Sequence, residues 1–226
     1  LPEGGYPGFA ALRAVLAAHD VRFNNLETTI HRQEGFPAAV SGGTWAMAEP
    51  EILDDLGQFG FNLFNTANNH SGDYSQGGVL ATIRHLRERG LRFAGTGEHL
   101  AAASAPVYLD TPHARVALVA ACATLHEADP AGNQSPSMPG RPGLNPLHYD
   151  TVFHVEPEAY AALERVAEET DMNAARQLSI RNGYTMPSPE GELFFRGLRF
   201  RRDTETAQHT APAKKDLDRI LASVEE

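Results

Sequence analysis

Two short strings carry most of the side chains able to do chemistry. The first is Asn24-Asn25-Leu26-Glu27 and the second Asn68-Asn69-His70-Ser71-Gly72-Asp73. Between them Glu27, Asn69, His70 and Asp73 supply carboxylate, amide oxygen and imidazole. That mixture suits a hard or borderline divalent cation such as Ca, Mn, Mg or Zn. His70 and Asp73 are also close enough in sequence to form a hydrogen-bonded pair, and a carboxylate fixes the tautomer of its histidine and raises its basicity. Asn, Asp and Gly are equally ordinary turn formers after strands, so each string taken alone also reads as a turn.

The elements that carry the strings decide whether they can act together. Val21-Arg22-Phe23 reads as a strand running into the first string, and Phe61-Asn62-Leu63-Phe64 as a strand running into the second. In an open α/β sheet, ligands bind outside the carboxyl ends of the strands, so both strings are expected at one crevice. A helix is expected from Pro7-Gly8 through His19. A second starts at Pro50, buries Ile52, Leu53, Leu56 and Phe59, and closes at Gly60. A third runs from about Gly78 to Arg89 with Val79, Leu80, Ile83 and Leu86 at helical spacing. Phe93, Val107–Leu109 and Val116–Ala120 mark further strands, and the run Val116–Ala123 has the length of a buried one. Strands alternating with helices predict an α/β layer.

The second half changes character. Residues 126–148 hold five prolines among mostly polar neighbours, and the stretch from Glu127 to His148 is expected to be mobile or shaped by a ligand. Thr151–Val155 reads as a strand, Pro157 to about Glu169 and Asp171 to Arg181 as helices, Leu193–Phe200 as a hairpin around Gly197, and Asp216–Val224 as a last helix. The expected organisation is an α/β half over residues 1–125, followed by a long loop and α/β insertion of the same domain over 126–226.

Composition narrows the classes. A chain of 226 residues is one domain, or one with a large insertion. Asp and Glu number 29 against 19 Lys and Arg, a formal charge of −10, which argues against a nucleic-acid partner. The single cysteine, Cys122, excludes an intrachain disulfide framework and a cysteine-based zinc cluster, and is expected to be a small buried hydrophobe. No apolar run approaches the roughly 20 residues that span a bilayer. The chain opens on Leu1-Pro2, so the natural N-terminus is expected to lie upstream, and membrane anchoring is not readable from it. The 17 arginines against 2 lysines suggest a GC-rich bacterial host.

Phe23-Asn-Asn-Leu-Glu-Thr-Thr29 and Asn65-Thr-Ala-Asn-Asn-His-Ser-Gly-Asp-Tyr74 resemble the CapA family of poly-γ-glutamate capsule synthesis proteins. The resemblance continues in Leu80–Leu86, Phe93–Gly97 and Ala105–Asp110, and in Gly140–Leu147, which resembles the insertion of longer members. It is strong over about residues 21–155. It implies a calcineurin-like metallophosphatase fold, a layered sheet with helices. It further implies a divalent metal with Asn69 and Glu27 among its ligands, His70 as acid/base histidine, and Asp73 as the aspartate that follows the motif. The family's Gly-Asp first-strand motif is not in the chain. Nor is a His-x-His-Glu or Gly-His-x-x-His segment found after Asp73. The chain is therefore expected to be a segment of a longer protein, holding part of the metal site.

The resemblance implies a metal-dependent enzyme acting on a peptide-type or poly-γ-glutamyl substrate. Some relatives epimerise the α-carbon of a lasso-peptide residue. The alternatives are capsule biosynthesis proper and phosphoester hydrolysis. The location would be cytoplasmic for a peptide-modifying enzyme and the cell surface for a capsule protein. Arg141, in its Pro/Gly-rich loop, is a candidate to hold a substrate carboxylate. His126 and Glu127 are loop candidates that rank lower. His85 and His99 are expected in solvent, and Trp45 and Tyr74 flank the two strings.

Overall fold

The computed structural model describes residues 5–41, 43–170, 172–184, 198–204 and 206–225. The element order is α1 (Phe9–Ala17), β1 (Phe23–Asn25), β2 (Thr29–Ile30), β3 (Met47–Ala48), α2 (Ile52–Gln58), β4 (Leu63–Asn65), α3 (Ser75–Glu88), β5 (Phe93–Ala94), β6 (Thr96–Gly97), α4 (Leu100–Ser104), β7 (Val107–Asp110), β8 (Arg115–Leu118), β9 (Gly143–Leu144), β10 (Tyr149–Val155), α5 (Pro157–Glu169), α6 (Met172–Arg181), β11 (Leu198–Arg202), β12 (Ala207–Pro212) and α7 (Lys214–Glu225). The protein is α/β, as the alternation of periods predicts. The chain divides into two compact units, Leu1–Leu147 with Lys215–Glu226, and His148–Lys214. Residues 126–147 thus group with the first unit.

In the first unit β1, β4 and β5 form a parallel sheet in that order. Asn24 pairs with Phe64, Asn25 with Asn65, and Phe64 with Phe93. Parallel neighbours need crossovers, which α2 and α3 supply. Pro50 precedes α2, and Gly60 leaves it at φ +78°, a conformation open to glycine without Cβ strain. Leu26, Ile30, Leu53, Phe64 and Leu86 form one core cluster. Ala67, Ala94, Ala120, Cys122 and Leu144 form a second.

Helix α3 begins at Ser75, earlier than the expected Gly78. Its glycines reflect packing: a Cβ on Gly35 would lie 2.5 Å from the Gly78 nitrogen, so the incoming loop touches the helix backbone. The buried face of α3 includes Val79, Ile83, His85 and Leu86, while Leu80 is 40% exposed. His85, expected in solvent, is buried with its ring nitrogens 3.4 Å from Glu34 and 3.3 Å from Glu88. Glu34 and Glu88 flank the ring and Arg84 Nη2 lies 3.2 Å from Nε2, so the buried imidazole has polar neighbours at both nitrogens. His99 caps α4, its Nδ1 accepting from the Ala102 amide at 3.2 Å.

The run Val116–Ala123 does not form one buried strand. Only Arg115–Leu118 is extended, paired with β7 as a two-stranded antiparallel hairpin, with alternate residues exposed. Past Leu118 the chain leaves the ladder, and Ala120 and Cys122 enter the second core cluster. In α2 only Leu53 is buried, and α1 buries none of its residues, touching Phe59 through an edge-on Phe9 at 4.8 Å.

The long loop is anchored at both ends. Asp129–Ala131 and Gly143–Pro146 are buried, and only residues 133–139 are continuously exposed. In the second unit β11, β10 and β12 form a sheet, with β10 parallel to β11 and antiparallel to β12. Phe153 and Phe200 stack across it at 5.4 Å. Leu198–Phe200 is extended as expected, but as a parallel partner of β10; the turn around Gly197 lies outside the described residues. Among the described residues no helix is long and apolar enough to cross a membrane.

Candidate functional site

Because β1 and β4 are adjacent, parallel and in register, the chain emerging from each starts at the same end of the sheet. Hydrogen bonds join the two strings there. The Asn25 Oδ1 accepts from Asn65 Nδ2 at 2.8 Å and from Asn68 Nδ2 at 3.3 Å, while Asn25 Nδ2 donates to the Glu27 carboxylate at 3.4 Å. Asn68 is the hub. Its Nδ2 also donates to the Leu26 carbonyl at 3.0 Å, and its Oδ1 accepts from the His70 amide at 3.1 Å. Ser71 Oγ accepts from the Asn68 amide at 2.9 Å and donates back to the Thr66 carbonyl at 2.6 Å, folding the string into a tight turn. Glu27 is exposed and Asn69 half-buried, and the Asn69 side chain makes no hydrogen bond among the described residues.

His70 and Asp73 form a pair, Nδ1 to Oδ2 at 2.8 Å, with 15% and 1% of their side chains exposed. An ionised carboxylate can only accept, so the proton is on Nδ1 and the Nε2 lone pair is left for other work. Asp73 Oδ2 also accepts from the Ala46 amide at 2.5 Å, while its Oδ1 is buried without a partner. The carboxylate is therefore held by the loop that precedes β3 as well as by the histidine.

Behind this pair lies His31, which sequence reasoning passed over. It is fully buried, with the Tyr74 ring edge-on at 4.4 Å. Thr29 Oγ1 donates its one proton to the Ala46 carbonyl at 2.8 Å and lies 3.2 Å from His31 Nε2. The Nε2 must then be the donor, leaving Nδ1 as a bare, buried acceptor without a partner. Burial pushes the His31 pKa below the usual imidazole value, an effect that Glu34 opposes and His85 reinforces.

Asp129 was also missed. It is 7% exposed, and its Oδ2 accepts from the His126 amide at 2.7 Å. A Cβ on Gly72 would lie 2.1 Å from its Oδ1, so this carboxyl packs directly on the turn between His70 and Asp73. Burial raises its pKa, the His126 amide and ring lower it, and the charge of Asp73 raises it further. The Asp-Pro-rich loop context reads as turn chemistry and holds no signal for this position.

Arg141 uses its guanidinium within its own loop. Nε and Nη2 both donate to the Pro130 carbonyl, at 3.0 and 2.9 Å, and its backbone pairs with Gly132. Cys122 is buried, and burial raises its thiol pKa. Trp45 donates from Nε1 to the Ala38 carbonyl at 2.9 Å and is 45% exposed. Among the described residues, no group of three or more His, Cys, Asp or Glu side chains could hold a metal. The oxygen donors of Glu27 and Asn69 suit a hard cation in kind but do not amount to a full ligand set.

A polar cluster with a histidine–carboxylate pair, set at the carboxyl ends of adjacent parallel strands, defines the class: an α/β protein with a polar site at its strand ends. Residues 3–183 match the family model "Bacterial capsule synthesis protein PGA_cap", and the chain belongs to that family, whose fold is metallophosphatase-like. It is 35% identical over 236 residues to each of the proteins y4sH and y4uA of Sinorhizobium fredii (strain NBRC 101917 / NGR234), an alignment covering 99% of this chain and 47% of theirs. The chain thus spans about half the length of these relatives. A shorter match, 34% over 70 residues, links it to the capsule biosynthesis protein CapA of Bacillus anthracis, covering 31% of this chain and 17% of that one.

Proposed function

We propose that this chain carries the acid/base part of a CapA-like enzyme acting on a peptide-type substrate, most concretely by proton exchange at a peptide α-carbon. The observation that carries the reading is the His70–Asp73 pair, with its Nδ1–Oδ2 distance of 2.8 Å at the strand ends. Asp73 holds the imidazole in the tautomer whose Nε2 can take a proton, and stabilises the imidazolium that results. The α-proton goes to Nε2, and a proton returned to the opposite face inverts the centre. That return needs a second group, so His70 is one of two. A divalent cation would be held by Glu27 and Asn69 together with further ligands, and would supply positive charge at a substrate carbonyl or carboxylate oxygen.

Membership of the capsule synthesis family favours a second reading, in which the substrate is a poly-γ-glutamyl chain. A phosphoesterase is the third, from the fold alone. The test uses the full-length protein with three substrates in deuterated water. Deuterium uptake at a peptide α-carbon supports epimerisation, cleavage or extension of poly-γ-glutamate supports the capsule reading, and phosphate release supports the phosphoesterase. Losing a general acid or base costs about 10² to 10⁴ in rate, so His70→Ala should lose most activity with its fold intact. Full activity in that variant removes His70 from the mechanism.

A further inference from the structure

A cavity of about 100 Å³ lies within the first unit, beside the turn that carries His70 and Asp73. Gly72, Ser75, Gln76 and Asp129 give it polar walls, and Val79 and Ala38 apolar ones. Asp129 is the buried polar group of this wall. Its Oδ2 is occupied by the His126 amide, whereas Oδ1, pressed against Gly72, has no hydrogen-bond partner among the described residues. We propose that this cavity is a binding subsite for one small uncharged hydrogen-bonding group of a ligand, an amide or a hydroxyl, with Asp129 as its polar contact.

Size and charge both point to that class. A water occupies about 30 Å³ of liquid, so the cavity takes roughly three waters or a group of four or five heavy atoms. A side-chain amide fits that space. An anion would lose its hydration against the apolar walls and meet the Asp129 carboxyl rather than a cationic partner. A cation would lose its hydration against apolar walls and against a carboxyl that burial drives toward its neutral form. With Oδ2 held by the His126 amide, Oδ1 is the oxygen left to hydrogen-bond an amide or hydroxyl of the ligand. Gly72, having no Cβ, lets the Asp129 oxygen reach the floor of the turn.

The subsite rests on this geometry and not on the proposed reaction, so a binding measurement reads it whether or not His70 is catalytic. The probes are acetamide, acetate and methylammonium, titrated into the ¹⁵N-labelled protein and followed by amide shifts of Gly72, Ser75, Gln76 and Gly143. Acetamide should shift these signals, and the two ions should bind at least roughly tenfold more weakly, about 1.4 kcal/mol. Asp129→Asn keeps a donor and an acceptor and should bind acetamide within about threefold of the parent, or 0.6–0.7 kcal/mol. Ala38→Leu narrows the cavity from its loop side, without touching the buried carboxyl, and should abolish the shifts. The proposal is overturned if none of the three probes shifts these residues, if either ion binds better than acetamide, if Asp129→Asn folds but loses acetamide, or if Ala38→Leu binds as the parent does.

Discussion

Gly72 lies so close to Asp129 that a Cβ built on it would stand 2.1 Å from the carboxylate oxygen Oδ1 and 2.7 Å from Cγ. Two residues far apart in sequence therefore share one contact, and the turn bearing the His70–Asp73 pair is braced by the loop that follows Cys122. Gly72→Ala should force the buried Asp129 side chain out of place, at a cost of about 1–3 kcal/mol in urea unfolding. In the Asp129→Ala background the same change should cost much less, a coupling of about 0.5–3 kcal/mol. Equal penalties in the two backgrounds would show that the contact does not constrain the turn.

His31 should make stability depend on pH. Its folded pKa lies below the ordinary 6.5 because burial disfavours the charged ring. Between the folded value and 6.5 the unfolded chain binds more protons, so stability rises with pH through that window. The contribution is fully present above about pH 6.5 and is lost as pH falls through the folded pKa, with a limiting slope of about 1.4 kcal/mol per pH unit. His31→Gln cannot protonate, so the difference between its profile and the parent's should vanish in slope above pH 6.5 and grow below it. Parallel profiles from pH 4 to 8, measured by chemical denaturation, would contradict this.

Asn145 and Arg219 should tie the last helix to the first unit. Asn145 is fully buried; its Oδ1 accepts from Arg219 Nη2 at 3.0 Å and Ser104 Oγ at 3.1 Å, and its Nδ2 donates to the Ala120 carbonyl at 2.8 Å. Arg219 also donates to the Pro146 carbonyl and to Asp216. Asn145→Ala strands these partners and should cost about 1–3 kcal/mol. Hydrogen exchange should speed up across α7 in that variant, while the amides of α2 keep their relative protection.

Cys122 should be inert in the folded protein. Its thiol is 7% exposed, its Sγ donates to the Thr124 carbonyl at 3.0 Å, and burial raises its pKa above the usual thiol value. The thiolate is the reactive form. Iodoacetamide at pH 7.5 should leave Cys122 unmodified over hours and label it fully in denaturant, read by intact mass. Rapid native labelling would mean that the second core cluster opens easily.

How far the sequence carries can be judged residue by residue. That a strand runs into each string was legible from Phe23 and Phe61–Phe64 beside turn formers, but β1 is Phe23–Asn25 where Val21–Phe23 was expected, so Asn24 and Asn25 are themselves in the ladder. The His70–Asp73 spacing was legible because an i, i+3 pair in one tight turn is a local feature. His85 misled, since a histidine on a helix face is read as solvated until Glu34, from the loop after β2, is seen to join Glu88 of the same helix beside it.

The sequence by itself determined the α/β alternation, the two polar strings and the chemistry of their side chains, because those depend on periodicity and on neighbours a few residues apart. Only the tertiary structure decided that Asn25 and Asn68 bond directly, that Asp129 lies beneath Gly72, and that His31 is sealed behind Tyr74. It also decided that Arg141 closes its own loop, and that residues 126–147 group with the first unit. The first three of these rest on segments that pack together across some 40 to 60 residues. Burial then lowers the His31 pKa and raises that of Asp129, and no local pattern of residue types records that burial.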